Sequence, residues 1–244
     1  MEREIAITAK NISKTFHIYE DSHNTVKHRL FNLFNPPKRK DISALKITSL
    51  EINKGECIGL VGRNGCGKTT LTKVLAGIFP TDTGYIKING TTMLMNLGVG
   101  MSQELTAREN IYVSGSVLGL KIRQVDELFD DIVEFAEIKD FIDTKVKFFS
   151  SGMMARLAFS IAVKSGADIM FLDEIFAVGD VKFQEKAIHV FESSWIKGRT
   201  VVLVSHGMPI IQKYCKRAAF MKNGAIEFFG DTKKAIEMYM ADNQ

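Results

Sequence analysis

The sequence has few cysteines, no long apolar run and little excess charge of either sign, and each shortage narrows what the chain can be. Its three cysteines, Cys57, Cys66 and Cys215, stand far apart without CxxC spacing, which argues against a disulfide scaffold or a cysteine zinc site and fits a reduced compartment. The longest uncharged stretch, Ile88 to Gln103, is broken by Asn, Thr and Gly and is shorter than the roughly 20 apolar residues a spanning helix needs. Met1-Glu2-Arg3-Glu4 leads into no apolar segment, so no signal peptide is expected and any membrane contact is expected to be peripheral. A formal charge of +4 at pH 7 is too small to make nucleic acid the default partner, and any basic surface must be local. No internal repeat or low-complexity tract is present.

What is there suffices for a globular core. With 244 residues, 45% of them hydrophobic, the chain reads as one domain, 1–244, with subdomains. Ile5 to Ile12 alternates like an edge strand, and Ala44 to Ile52 reads as a second strand before the turn at Asn53-Lys54-Gly55. Between them, residues 21–41 read as an inserted amphipathic helix carrying Val26, Leu30, Leu33 and Phe34 at helical spacing. This insertion stops at Pro36-Pro37 and leaves through a basic loop, Lys38-Arg39-Lys40-Asp41. Cys57 to Val61 is a short apolar strand running into a glycine-rich turn, and Thr70 to Gly77 has helical composition. Residues 107–167 are mostly helical in pattern, with Val125 to Ile138 amphipathic, while Ile169 to Leu172 and Thr200 to Val204 look like buried parallel strands. Residues 225–244 read as a C-terminal tail ending in a short amphipathic helix, Lys233 to Ala241. The expected fold class is α/β, a P-loop NTPase core with an antiparallel β edge and an inserted helical subdomain.

Gly62-Arg63-Asn64-Gly65-Cys66-Gly67-Lys68-Thr69 fits GxxxxGK[ST] at every position and lies between a strand and a helix. Glycines let backbone N–H groups turn inward around phosphates, and the helix start adds its positive dipole end, with Thr70 in the first turn. Lys68 is expected to reach the β- and γ-phosphates of ATP, and the Thr69 hydroxyl to bind Mg²⁺. The apolar strand Ile169-Met170-Phe171-Leu172 ends in Asp173-Glu174, two carboxylates that a buried strand has no structural need for. Asp173 suits Mg²⁺, and Glu174 suits a general base for the attacking water. Thr200 to Val204 likewise delivers Ser205-His206 at its carboxyl end, the edge where open α/β sheets bind ligands. His206 reads either as a donor to the γ-phosphate, as a group orienting the water, or as an ordinary structural histidine. Phe149-Ser150-Ser151-Gly152-Met153 precedes a strong helix former, Met154 to Ala162. By physics alone these residues are an N-cap with a local anion preference.

Taken together and in order, these motifs resemble the nucleotide-binding domain of ABC transporters over nearly the whole chain. The family signature LSGGQ corresponds to Phe149-Ser150-Ser151-Gly152-Met153, with Ser150 and Gly152 matching and Phe149, Ser151 and Met153 replaced. FSSGM followed by ARLAF, together with Ala177-Val178-Gly179-Asp180 after the Asp-Glu strand, resembles the polysaccharide-exporter branch. That branch comprises the Wzt-type ATPases of O-antigen export and their capsule and teichoic-acid relatives, and Ala177 to Asp180 favours the O-antigen type. The helix Asn24 to Phe34 and the run Glu104-Leu105-Thr106-Ala107-Arg108-Glu109-Asn110 are similar to that group's extra helix and its ELTGREN stretch. The resemblance implies ATP and Mg²⁺ as cofactors, Phe16 (or Tyr19) as the residue stacking on adenine, and Ser150 to Met153 completing the ATP site of a partner copy. No clear counterpart of the family's Q-loop glutamine exists; its place falls near Asn96 or Leu97, with Gln103 too late.

The resemblance further implies a homodimer bound to membrane permease subunits at the cytoplasmic face of the bacterial inner membrane, moving a lipid-linked polysaccharide. It places the inserted helix beneath the permease, where Lys38, Arg39 and Lys40 meet anionic headgroups or a glycan pyrophosphate. Since the sequence stops after Asp242-Asn243-Gln244, no glycan-checking β-sandwich is expected in this subunit. The rival readings are a capsule or teichoic-acid exporter, a soluble ABC ATPase acting on ribosomes or DNA, and a non-catalytic ATP-binding module. The soluble rival usually shows a second cassette or a long coiled coil, and intact Lys68, Asp173, Glu174 and His206 argue against the last.

Overall fold

The computed structural model describes residues 4–19, 39–95, 101–164, 166–173, 179–205 and 207–243. The expected helix Asn24 to Phe34, the alternatives Asn96 and Leu97, and the residues Glu174 and His206 lie outside these described residues.

Two sheets and a helical block build the molecule. Strands β3 (Cys57–Val61), β5 (Thr92–Met95), β6 (Ile169–Asp173), β7 (Thr200–Val204), β8 (Arg217–Lys222) and β9 (Ala225–Asp231) form a six-stranded sheet in the order β5-β6-β7-β3-β8-β9. All neighbours in it are parallel except the β8–β9 pair. Strands β1 (Ile5–Tyr19), β2 (Arg39–Asn53) and β4 (Thr83–Ile88) form an antiparallel sheet in the order β2-β1-β4. The first strand is therefore central, not at an edge, because β4 pairs along it from Ile7↔Ile88 to Ser13↔Thr83. The largely exposed β4 turns only Ile86 and Ile88 inward, an alternation too short to betray it in the sequence.

The central strands are apolar throughout because both their faces are covered. Along β7, Val201 and Leu203 enter one core cluster, with Phe159, Trp195 and Phe220, while Val202 and Val204 enter another. That second cluster lies between the sheets: Ile7, Leu45 and Ile52 of the small sheet meet Leu60 and Phe171 of the large one. Helix α1 (Lys68–Leu75) adds Leu71 and Leu75 to the same cluster.

The helical block contains α2 (Ala107–Val117), α3 (Ile122–Ala136) and α4 (Ser151–Val163), with a separate core around Ile111, Val125 and Leu157. Helix α2 opens with a full capping box, Thr106 accepting from the Glu109 N–H while the Glu109 carboxylate accepts from the Thr106 N–H. Fully buried Asn110 anchors the loop before it, accepting from the Ser102 N–H at 2.7 Å and donating to the Ser102, Leu105 and Thr106 carbonyls. The remaining helices are α5 (Val181–Val190), continued by a π-helical turn at Phe191–Trp195, α6 (Met208–Tyr214) and α7 (Thr232–Asp242).

Two expectations change here. Arg39, Lys40 and Asp41 form no exit loop but begin β2, pairing with Tyr19, Ile18 and His17. Residues 225–243 hold, before the expected terminal helix, a strand that was not expected: β9 completes the large sheet and α7 packs on it through Ala235. The hairpin turn between β8 and β9 is Asn223-Gly224, both with positive φ (49° and 81°), the conformation of a type I′ turn.

Helix α6 lies so close over β3 that a Cβ on Gly59 would sit 2.6 Å from Ile211 Cγ2 and 3.3 Å from the Ala218 Cβ. Strand propensity favours Gly59→Val, whereas this contact opposes it, and in a close-packed interior the contact wins. Chemical denaturation is expected to show Gly59→Val destabilised by about 1–3 kcal/mol, the usual cost of overpacking. A stabilised variant would mean that α6 is held less tightly than its contacts imply.

Candidate functional site

A polar cleft of about 710 Å³ opens at the carboxyl ends of β3, β6 and β7. The turn leaving β3 builds its floor. Gly62, Gly65 and Gly67 have φ of 155°, 77° and 106°, all values that side-chain-bearing residues rarely adopt. A Cβ on Gly62 would meet the Met221 carbonyl oxygen at 2.4 Å, and one on Gly67 the Ala44 carbonyl oxygen at 2.6 Å. Glycine is thus required twice, for the left-handed turn and for the close approach of neighbouring backbone. Gly67 begins α1 with no side-chain cap, so the first-turn N–H groups receive no capping acceptor from that residue, and Gly67 to Thr70 line the cleft as a helix start suited to an anion.

Lys68 is buried, with 8% of its surface exposed, and its ammonium folds back to donate to the Gly62 carbonyl at 2.6 Å and the Arg63 carbonyl at 3.0 Å. A buried cation without partners is costly, and these two carbonyls meet that need while keeping the charge at the cleft. Thr69 Oγ1 lies 3.5 Å from Asp173 Oδ2 at the end of β6, so two hard oxygen ligands converge beside the turn. Asn64 and Thr70 also line the cleft, while Arg63 and Cys66 face a second hollow of about 460 Å³ behind the turn.

Other expected residues lie elsewhere. Phe16 does not line the cleft; its ring packs edge-on against Phe79 at 5.5 Å, and across the ladder it faces Ile42, which does line it. Ser150 caps α4, accepting from the Met153 N–H at 3.2 Å, and none of Ser150, Ser151, Gly152 and Met153 lines the cleft. Gln103 lies in the loop anchored by Asn110, its carbonyl accepting from the Lys147 N–H at 3.0 Å.

The cleft also has walls that the motifs do not contain. Ser43 and Ala44 of β2 and the Asn223-Gly224 turn line it. A relay of backbone bonds joins them: the Gly224 N–H donates to the Cys66 carbonyl at 2.9 Å, and the Lys46 N–H donates to the Gly224 carbonyl at 2.8 Å. Asn-Gly between two apolar runs was the available signal for this turn. Two cysteines that looked unrelated are neighbours, Cys57 and Cys215 with sulfurs 3.5 Å apart. Their hydrogen bond, and then burial, push the Cys215 thiol well above its usual range.

A family model described as ABC transporter matches residues 45–177. The chain is 38% identical, over 99% of its length, to the teichoic acids export ATP-binding protein TagH of Enterococcus faecalis, and covers 54% of that protein. It therefore spans only about half the length of that relative. It is 34% identical to the O-antigen export system ATP-binding protein RfbB of Klebsiella pneumoniae, with 97% of this chain and 98% of that one covered. Among solved structures, the dimeric post-hydrolysis state of the ATP-binding cassette MJ0796 bound to ADP and Pi superposes with a TM-score of 0.70 at 20% identity, covering 93% of this chain and 98% of that one. The ATP-binding subunit of an ABC transporter gives a TM-score of 0.73 at 17% identity, covering 96% and 93%. At these identities the structural likeness speaks for the fold.

Gly67 offers a test of the cleft's construction. Gly67→Ala places a methyl group against the Ala44 carbonyl and a side chain at φ of 106°. Thermal denaturation is expected to show a loss of about 1–3 kcal/mol, and a fluorescent ATP analogue to bind at least tenfold more weakly. Wild-type behaviour in both would show that the turn and β2 do not depend on each other.

Proposed function

The chain belongs to the ABC transporter family, and from that premise we propose that it is the ATP-hydrolysing subunit of an exporter of a lipid-linked polysaccharide. The observation that carries this reading is the cleft itself, where Lys68, the uncapped start of α1, Thr69 and Asp173 converge at the ends of parallel strands. ATP lies with its phosphates in the turn from Gly62 to Thr70, where Lys68 exchanges backbone carbonyls for phosphate oxygens. The base lies toward β2, against Ile42 with Phe16 behind it. Thr69 and Asp173, whose oxygens are of the hard type Mg²⁺ prefers, would hold that ion, which would supply positive charge to the phosphates. Glu174, next in sequence after Asp173, draws a proton from the attacking water, and His206, two residues past the end of β7, contacts the γ-phosphate.

The signature residues act in trans in this reading. Ser150 to Met153 carry a helix start suited to an anion and line no part of their own chain's cleft. Two copies facing head to tail bring each signature over the other's phosphates, so ATP acts as adhesive and hydrolysis releases the pair. Among the described residues no helix is long and apolar enough to cross a membrane, which suits a peripheral subunit held at the cytoplasmic face by separate permease subunits. The insertion 21–41 is then the part nearest the permease, as in the resembling exporters. For the cargo, Ala177 to Asp180 favours O-antigen; teichoic acid is the second reading, favoured by the higher identity to the Enterococcus relative. ATPase stimulation of the reconstituted transporter by one lipid-linked polymer and not the other separates them.

Three variants test the engine. Glu174→Gln is expected to lower steady-state hydrolysis by about 10²- to 10⁴-fold, the usual worth of a general base, while ATP still binds and holds a dimer. Near-normal turnover would remove Glu174 from the mechanism. Lys68→Ala should instead weaken binding of the fluorescent ATP analogue by about tenfold or more, since a charge-assisted hydrogen bond is worth roughly 1.5–3 kcal/mol. Mixing inactive Lys68→Ala and Ser150→Arg subunits should restore one intact composite site and part of the activity. If proven heterodimers stay inactive, the signature works within its own chain.

A further inference from the structure

Helix α5, capped by Asp180 six residues after Glu174, is one of the elements through which the ATP-binding core touches the helical block. Its Phe183 stands edge-on to Phe135 of α3 at 5.7 Å and to Phe159 of α4 at 5.6 Å. One turn further, Lys186 lies over the Phe135 ring at 4.4 Å and donates to the Phe135 carbonyl at 3.1 Å and to Glu137 Oε1 at 3.4 Å. The other oxygen of Glu137 accepts from Arg156 Nη1 of α4 at 3.3 Å. One carboxylate thus joins a lysine of the core helix to an arginine two turns beyond Ser150.

The backbone at Glu137 is unusual. It caps α3 in the left-handed conformation, φ 56° and ψ 45°, where glycine is the common residue and a glutamate costs strain. Strained non-glycine residues persist where their side chains are needed in place. Isolated half-exposed ion pairs contribute little, but here an ion pair, a charge-assisted bond to a carbonyl, a ring contact and a second ion pair converge on two residues.

We propose that Lys186 and Glu137 form a latch that fixes the orientation of the signature helix α4 relative to the core helix α5, making both positioning residues for hydrolysis. The proposal rests on the two-subunit reading above: the signature can meet a partner's phosphates only if its helix is held at a defined angle to its own core. Neither residue lines the cleft, so the latch acts on turnover and not on binding to the P-loop.

The experiment uses the full chain with MgATP and compares Lys186→Met, Lys186→Arg, Glu137→Asp and Glu137→Gly. The glycine variant is decisive because it relieves the backbone while deleting the carboxylate. If Glu137 is only a helix cap, Glu137→Gly melts no lower than wild type and hydrolyses normally, which overturns the proposal. The latch predicts unchanged melting, analogue affinity within about twofold, and kcat lowered roughly three- to tenfold, what a networked charge contact is worth. Lys186→Met should lose as much, the Met/Gly double variant no more than either single one, and Lys186→Arg and Glu137→Asp should recover most of the rate. Hydrogen exchange on the nucleotide-free chain gives a readout independent of catalysis: amides of 133–138 and 150–155 should exchange faster in Lys186→Met and Glu137→Gly, with β3 and β7 unchanged. A rate loss that merely follows melting temperature, or exchange identical to wild type, overturns the latch. If the wild-type chain hydrolyses no ATP, the function proposed above fails, and exchange alone then decides for or against the latch.

Discussion

The folding back of Lys68 onto the Gly62 and Arg63 carbonyls is the interaction around which the site is built. An ammonium held at 8% exposure must have acceptors, and the turn it terminates supplies two. That turn closes only with left-handed backbone at Gly65 and Gly67, and it leaves α1 without a side-chain cap. The same constraint therefore shapes the loop, aligns the donors of the helix start and keeps a positive charge beside them.

The turn is in its place because neighbours outside the motif press on it. Gly62 lies under the Met221 carbonyl and Gly67 under the Ala44 carbonyl, and the relay from Cys66 through Gly224 to Lys46 ties loop, hairpin turn and β2 into one backbone network. The small antiparallel sheet is thus a wall of the cleft as well as a cover for the second core cluster. Its β1–β2 ladder carries Ile42 and Phe16 on one face and runs on to Tyr19 and Arg39, the two ends of the insertion. Whatever the insertion contacts, it is joined to the cleft by a ladder only a few residues long.

Sequence reading succeeded where a residue pattern has one physical explanation. GxxxxGK[ST] demands a strand, a left-handed turn and a helix, and all three appear at Cys57–Val61, Gly62 to Gly67 and Lys68–Leu75. The apolar runs Ile169 to Leu172 and Thr200 to Val204 are buried parallel strands because only a sheet covered on both faces tolerates them. It fell short where pairing depends on distant chain. Thr83–Ile88 has an exposed, uneven face, so neither β4 nor the central place of β1 could be read locally. Arg39 to Asp41 look like a solvated charge run yet form a strand, since backbone bonds to β1 satisfy them whatever their side chains. The Asn223-Gly224 turn carried a readable signal, but its place at the cleft depends on two hydrogen bonds to separate segments and had none. Cys57 and Cys215, 158 residues apart, meet for the same reason.

The arrangement fits the proposed site shared by two chains. The phosphate cradle belongs to the sheet, whereas the FSSGM stretch belongs to a helical block with its own core, resting on the sheet layer chiefly through aromatic rings. A motif mounted on a separate block cannot close over its own cradle without dismantling one of the two cores, and each core represents far more free energy than one nucleotide contact supplies. Presenting that motif to a second copy leaves both cores intact. On the two-copy reading proposed above, the angle between block and sheet sets whether two sites form together, and the proposed contacts at that joint bear on turnover without lining the cleft.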